Sequence, residues 1–191
     1  MGLKVFLSYG HDQNTDLVLR FKADLEAAGH TPWLDTAEIE HADDWRRVIL
    51  DGLKDTDWTL AFLSRHAAAR PGNAESQRDL SVSHECIGIV LREQGDLPGA
   101  LAAYRAGLAI DERLARQAPD NAYVQRDLFI SYREVARLSV AAGECAAART
   151  VAAKAESQSG LLVERFPHIT QHASDLQGAE VLLRDIANAC P

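Results

Sequence analysis

Prolines at a fixed spacing divide the larger, second part of the chain into equal lengths. Pro71, Pro119 and Pro167 are separated by 48 residues each time. The tetrapeptide Gln-Arg-Asp-Leu follows the first two prolines at the same distance, and its Asp-Leu half recurs after the third. Repetition at a fixed period is typical of stacked supersecondary units, which bury their apolar faces against one another. The period therefore constrains this part of the chain to an array of similar units.

The repeats have a helical composition, rich in Ala, Leu, Arg and Glu, without a strand pattern. Gly95 and Gly143 occupy equivalent positions, where a helix is expected to break. The pattern predicts an all-α solenoid of about five helices, with ranges near 74–93, 97–117, 122–142, 145–165 and 170–189. Arg78 and Arg126 recur with the period, so we expect structural ion pairs with neighbouring acids rather than ligand contacts.

The first 64 residues alternate between strand and helix patterns instead. Short apolar runs at 3–8, 31–34 and 58–63 are separated by two amphipathic segments with short connections, which implies a parallel sheet. The first helix carries an apolar stripe at Leu17, Phe21, Leu25 and Ala28. The third run is too apolar for an open sheet edge, so we expect the helix at 74–93 to pack against this sheet.

Charge argues against two classes of partner. Lys and Arg number 20 against 28 Asp and Glu, which gives a net charge of −8. A basic footprint across the fold is absent, so neither nucleic acid nor an anionic membrane is expected as the main partner. No uncharged apolar stretch approaches the roughly 18 residues that a membrane-spanning helix needs.

Cysteines and histidines give no sign of a metal site. Cys86, Cys145 and Cys190 lie far apart and form no Cys-x-x-Cys pair, which predicts a reducing cytoplasm with Cys86 and Cys145 as small core residues. His168 and His172 have a spacing that can bind metal on a helix, but no third ligand accompanies them. We therefore predict surface histidines and no bound metal.

Two N-terminal segments resemble the Toll/interleukin-1 receptor (TIR) domain family. Phe6-Leu7-Ser8-Tyr9-Gly10-His11-Asp12 is similar to the first box of that family. Trp33-Leu34-Asp35 and the segment 43–49 resemble its second strand and the helix after its BB loop. The resemblance covers residues 4–66 and then stops. It implies a partial TIR domain of the flavodoxin-like type, with a three-stranded parallel sheet.

The TIR resemblance also implies a contact surface or nucleotide pocket. The matching residues are Ser8, Tyr9, Gly10, His11, Asp12, Trp33, Asp35 and Trp45. His11 and Asp12 would suit a general-base pair. Capping of the first helix by these two residues is the simpler interpretation.

A missing carboxylate bears on catalysis. Many TIR domains assemble with other TIR domains, and some cleave NAD with a Glu in the first turn of the helix after the BB loop. Depending on the alignment, Arg46 or Val48 takes that position here. Arg would repel the positive charge that develops on the ribose, and Val would not stabilise it. Glu38 and Glu40 on the preceding loop are the alternative acids, although solvated loop acids are the simpler interpretation.

The spacing within the first repeat resembles the tetratricopeptide (TPR) family, as in bacterial TIR proteins with TPR-like arrays. The residues at its packing positions, with their equivalents in the second repeat, are Gly88, Gly95, Ala100, Tyr104, Gly143 and Ala148. The period of 48 exceeds the roughly 34 residues of the family, so the helices are longer. The resemblance implies a surface that binds other proteins.

Together these observations predict a partial TIR domain at 1–66, a linker at 67–73 and TPR-like repeats at 74–191. We expect a cytoplasmic, non-catalytic signalling or scaffold protein without a cofactor. Its partners would be other proteins, either TIR-containing proteins or further copies of itself. The alternative is an NAD-cleaving enzyme of the bacterial defence type, with NAD as its substrate and a non-standard acid.

Overall fold

A computed structural model describes residues 2–9, 15–34, 56–62 and 73–190. The chain divides into two compact units, Met1–Gln94 and Gly95–Pro191. The elements of the first unit are β1 (Lys4–Tyr9), α1 (Thr15–Ala27), β2 (Thr31–Leu34), β3 (Trp58–Phe62) and α2 (Ala74–Glu93). Those of the second unit are α3 (Leu97–Gln117), α4 (Ala122–Ala141), α5 (Cys145–Arg165) and α6 (Gln171–Ala189).

The strands form a small parallel sheet in the order β2-β1-β3. Strand β1 is central and buries Val5, Phe6 and Leu7, because neighbours cover it on both edges and both faces. Its first residue is fixed by the backbone N–H of Lys4, which donates to a carboxylate oxygen of Asp57 at 2.8 Å. A parallel α/β beginning followed by a largely helical region is confirmed.

Helix α1 is rotated relative to the expected stripe. Val18 is fully buried and packs with Val5 and Leu7, and Leu25 lies partly buried against the same cluster. Leu17 keeps 53% of its surface exposed and Phe21 keeps 37%. Ala28 is exposed just beyond the end of α1. The predicted stripe was therefore wrong at Leu17, Phe21 and Ala28. Val18 and Leu25 are seven residues apart, so they lie on one helical face, which shares only Leu25 with that stripe.

Helix α2 packs against β1 and β3, as expected from the apolar character of β3. The side chain of Asn73 caps this helix by accepting a hydrogen bond from the backbone N–H of Ser76 at 3.1 Å. The compact units thus divide after Gln94. The predicted boundaries of 1–66, 67–73 and 74–191 stay a prediction.

Four helices of the second unit begin and end within one residue of their expected positions. Asn121 repeats the capping role of Asn73 and accepts hydrogen bonds from the backbone N–H groups of the first turn of α4. Gly95 and Gly143 have φ angles of 82° and 77°, which only glycine adopts without strain. The breaks expected at these two glycines are confirmed.

One cluster in the interior of the second unit is rich in small side chains. Ala136, Ala148 and Ala152 are fully buried and form a cluster with Leu182 and Ile186 of α6. The other residues assigned to repeat packing lie as follows: Ala100 and Tyr104 are buried in α3, Gly88 is buried in α2, and Gly95 and Gly143 are exposed in turns. Small residues let helix backbones approach closely, so the helices in this cluster can pack at short interaxial distances.

An ion pair joins the Arg position of one repeat to the Asp position of the next. Arg126 donates from Nε to Asp175 Oδ2 at 2.7 Å and from Nη2 to Oδ1 at 3.2 Å. The two side chains are only 12% and 4% exposed. Gln171 donates a further hydrogen bond to Asp175 at 3.2 Å. The structural ion pair expected for Arg126 is confirmed.

The cysteine assignment needs a correction. Cys145 and Cys190 form a disulfide with their Cα atoms 5.5 Å apart, so Cys145 is not a free core residue. Residues 45 apart meet because α5 and α6 form an antiparallel hairpin, which brings the start of one helix to the end of the other. Cys86 is buried and free, as expected.

Candidate functional site

The sheet brings part of the TIR-like motif to one edge. Strand β1 pairs in parallel with β2 and β3, so the backbone of Ser8 and Tyr9 and the end of β2 lie at the same edge. Ligands of open parallel sheets bind at the carboxyl ends of the strands. Trp33 packs its ring against Phe6, with 4.8 Å between the ring centroids, so it contributes to the sheet packing.

Other residues of the predicted pocket fall outside the described residues. These are Gly10, His11, Asp12, Asp35, Trp45, Arg46 and Val48, together with the loop acids Glu38 and Glu40. Their roles therefore stay predictions from the sequence.

A groove in the second unit presents the clearest cluster of polar side chains. It has a volume of about 440 Å³ and lies over α4, between α3 and α5. We call it the α3–α5 groove, and its lining consists of Glu112, Ala115, Arg116, Gln125, Leu128, Tyr132, Lys154 and Gln158. Each helix contributes residues at helical spacing, so one face of each helix faces the groove.

Tyr132 is held in the groove by a carboxylate. Its hydroxyl donates to Glu112 Oε1 at 2.8 Å, and Lys154 Nζ lies 3.3 Å from the same oxygen. The ammonium group of Lys154 also lies 5.3 Å from the centre of the Tyr132 ring. Burial and the neighbouring Glu112 raise the pKa of Tyr132, so its hydroxyl stays a hydrogen-bond donor at neutral pH.

Two glutamines fix the helices around the groove. Gln125 donates from Nε2 to the carbonyl oxygens of Ala115 at 2.8 Å and Ala118 at 3.2 Å, which satisfies groups at the end of α3. Gln158 of α5 donates to the backbone and side-chain oxygens of Gln125, at 3.1 and 2.8 Å. Hydrogen bonds therefore connect α3, α4 and α5 around the groove in the unbound chain.

Arg116 gives the groove an excess of positive charge. Glu112 balances one of the two cations, Arg116 and Lys154, in a chain whose overall charge is −8. Within the described part of the chain, no hydrogen bond or ion pair engages the Arg116 guanidinium. Arg116 lies near enough to Tyr132 to oppose the rise of its pKa. The groove can therefore attract a carboxylate.

Sequence reasoning missed the α3–α5 groove, although the repeats carried a signal. Glu112 and Arg116 have Gly160 and Glu164 at the equivalent positions of the next repeat, 48 residues later. The packing and capping residues recur across the period, whereas these two charged residues do not. A search for charged residues that do not recur with the period would therefore have pointed to the α3–α5 groove.

A second cavity of about 800 Å³ lies where the loops between helices meet. Its lining comes from residues 117–123 and from Phe166, His168 and Ile169. Tyr123 is 64% exposed there. Arg165 bridges the two loops by donating to the carbonyl oxygen of Pro119 at 2.9 Å and by pairing with Asp120.

The histidine prediction was half wrong. His168 is exposed, but His172 is 1% exposed, with its ring edge-on to Phe166 at 6.1 Å between centroids. His168 precedes α6, so the two histidines do not share a helical face. The described residues contain no group of three or more His, Cys, Asp and Glu side chains that could hold a metal ion. None of the described helices is both long and apolar enough to cross a membrane.

The family model of the TIR domain matches residues 5–123. This is more than half of the chain, and the protein therefore belongs to the TIR domain family. The match runs beyond the segment 4–66 that carries the resemblance in sequence, through α2 and α3 to the first turn of α4. Comparison with curated proteins and with solved structures found no match.

Proposed function

We propose that this protein is a non-catalytic signalling or scaffold protein that acts through contacts with other proteins. Its TIR part would contact TIR-containing proteins or a second copy of the chain, and its helical repeats would bind a separate partner. Membership of the TIR family supports a signalling role. The presence of Arg46 or Val48 where NAD-cleaving members have Glu supports a role without catalysis.

The α3–α5 groove is the proposed contact site of the helical repeats, and its geometry is the observation that carries this part of the proposal. The groove is lined by three helices and held in shape by the Gln125 and Gln158 hydrogen bonds. A preformed site lowers the entropic cost of binding. The excess charge at Arg116 favours a peptide segment with an acidic side chain.

Binding to this site can be tested with a displayed library of random 12-residue peptides. The selected peptides should bind the full chain and contain Asp or Glu, and Arg116→Glu should weaken their binding about 10- to 100-fold because it reverses the charge. Arg137→Glu is the matched control, since Arg137 is exposed on α4 and does not line the groove. Equal loss of binding in both variants would mean that the groove is not the contact site.

NAD cleavage is the second candidate function, because the TIR family includes enzymes of that type. The purified chain should be incubated with NAD, and nicotinamide release measured by chromatography. Under the proposed function, release stays at the level of the blank. Turnover that is lost in Glu38→Ala or Glu40→Ala would instead assign catalysis to a relocated loop acid.

A further inference from the structure

The disulfide between Cys145 and Cys190 closes the open end of the α5–α6 hairpin. Cys145 is the first residue of α5, and Cys190 directly follows the last residue of α6. At the opposite end, residues 166–170 connect the two helices. The hairpin is therefore held by the chain at one end and by a covalent bond at the other.

The packing of α6 differs between its two halves. Its first half is anchored by the buried pair of Asp175 with Arg126. Its second half contributes Leu182 and Ile186 to a cluster whose other fully buried members are alanines of α4 and α5, with Val140, Val151 and Leu183 partly buried against it. Alanines provide less apolar contact area than larger side chains, and among the residues that the structure describes no buried ion pair supplements the apolar contacts of this half. The disulfide adds a covalent link at the end of this half.

We propose that this disulfide is a site of thiol–disulfide exchange, and that a dithiol reductant releases the last turns of α6 from α4 and α5. The oxidised chain keeps α6 docked along its full length. The reduced chain keeps the first half docked through Arg126 and Asp175, while residues 182–190 open. This proposal concerns a surface separate from the α3–α5 groove and does not depend on the proposed partner contacts.

The burial of the two cysteines decides which sulfur is attacked. Cys190 is 1% exposed, whereas Cys145 is partly exposed at the start of α5. One thiolate of the dithiol attacks Cys145 Sγ and forms a mixed disulfide, and the Cys190 sulfur leaves with the bonding electrons and takes up a proton. The second thiol of the dithiol then displaces Cys145, which leaves as a thiol after protonation. The dithiol is oxidised to its disulfide, and the protein gains two thiols.

The attacked sulfur is identified in the Cys86→Ser variant, which keeps the disulfide but has no free thiol. A brief exposure to glutathione followed by acid quenching should give a mixed disulfide on Cys145, located by peptide mass mapping, because burial shields Cys190 while the bond is intact. An adduct mainly on Cys190 would contradict the assignment of Cys145 as the attacked sulfur. Counting thiols in denaturant first establishes the bond: chain purified without reductant should give one thiol, Cys86, and three thiols would overturn the proposal.

Hydrogen exchange of the full chain tests the release. Addition of dithiothreitol should speed exchange of the amides of residues 183–190 by about tenfold or more, while those near Asp175 stay slow. The double variant Cys145→Ser with Cys190→Ser should exchange like the reduced chain without reductant, and Cys86→Ser should behave like the parent. Unchanged exchange would overturn the proposal. So would loss of protection throughout α3–α6, which would make the bond a general structural support.

Discussion

Removal of the Asp175 charge should destabilise the helical repeats strongly. Asp175→Asn keeps the size of the side chain but removes the carboxylate charge that pairs with the Arg126 guanidinium, whose side chain is 12% exposed. The pair has two N–H···O contacts of 2.7 and 3.2 Å. Breaking one partner of a buried pair costs about 3–5 kcal/mol, because the remaining charge stays buried. We expect a loss of free energy of unfolding in this range.

Two spectroscopic signals distinguish unfolding of the second compact unit from unfolding of the first. All three tryptophans precede residue 95, so their fluorescence reports on the first compact unit. Circular dichroism at 222 nm is dominated by the helices, most of which lie in the second unit. Urea unfolding of Asp175→Asn should shift the dichroism transition to lower urea and leave the fluorescence transition near its original position.

Two further variants make the reasoning refutable. Glu144→Gln breaks the exposed pair with Arg105 and should cost no more than about 1 kcal/mol. Arg126→Met combined with Asp175→Leu replaces both charges by apolar groups and should recover most of the loss. If Asp175→Asn costs as little as Glu144→Gln, the pair is not buried as described, and the argument from desolvation fails.

The remaining predictions also concern the second unit and are measured by urea unfolding followed at 222 nm. Ala148→Leu should cost about 1–3 kcal/mol by overpacking the cluster around a fully buried position, and an unchanged midpoint would mean that the cluster can expand. Gly143→Ala should cost about 1–2 kcal/mol because Gly143 has a φ of 77°, whereas Gly160→Ala, inside α5 with open space around it, should stabilise by about 0.5–1 kcal/mol. If both variants changed the free energy of unfolding in the same direction, the argument from the φ angle would be contradicted. Tyr132→Phe should cost about 1 kcal/mol at neutral pH through the lost hydrogen bond to Glu112. Because the pKa of Tyr132 is raised in the folded chain, its contribution to the free energy of unfolding is complete below about pH 10 and is lost as the pH rises further. The difference in stability between the parent and Tyr132→Phe should therefore shrink in alkaline solution.

Features set by local chain chemistry could be predicted from the sequence. The helix ends followed from the period and from Gly95 and Gly143, since a left-handed glycine stops a helix wherever it occurs. The parallel strands followed from short apolar runs separated by helical segments. The ion pair of Arg126 with an acid followed from its recurrence within a helical array.

Features set by the rotation and pairing of distant elements could not be predicted in the same way. The face of α1 depends on which residue meets β1, and Val18 takes that place instead of Leu17. The disulfide depends on the alignment of α5 with α6, which the distance between Cys145 and Cys190 along the sequence does not reveal. The α3–α5 groove assembles residues of three helices, so only a comparison of successive repeats, in which Glu112 and Arg116 do not recur, carries a signal for it.

The Arg126–Asp175 pair has a consequence for how such an array can grow. The two residues are 49 positions apart, one repeat plus the step from Arg to Asp within the Gln-Arg-Asp-Leu motif. Duplication of a whole 48-residue unit therefore adds one cation and one anion at the spacing that lets them meet. A duplication of any other length would separate the two positions, and an unpaired charge at a site as little exposed as that of Asp175 would cost several kcal/mol. Selection against isolated buried charges thus restricts arrays of this kind to lengthening by complete repeats.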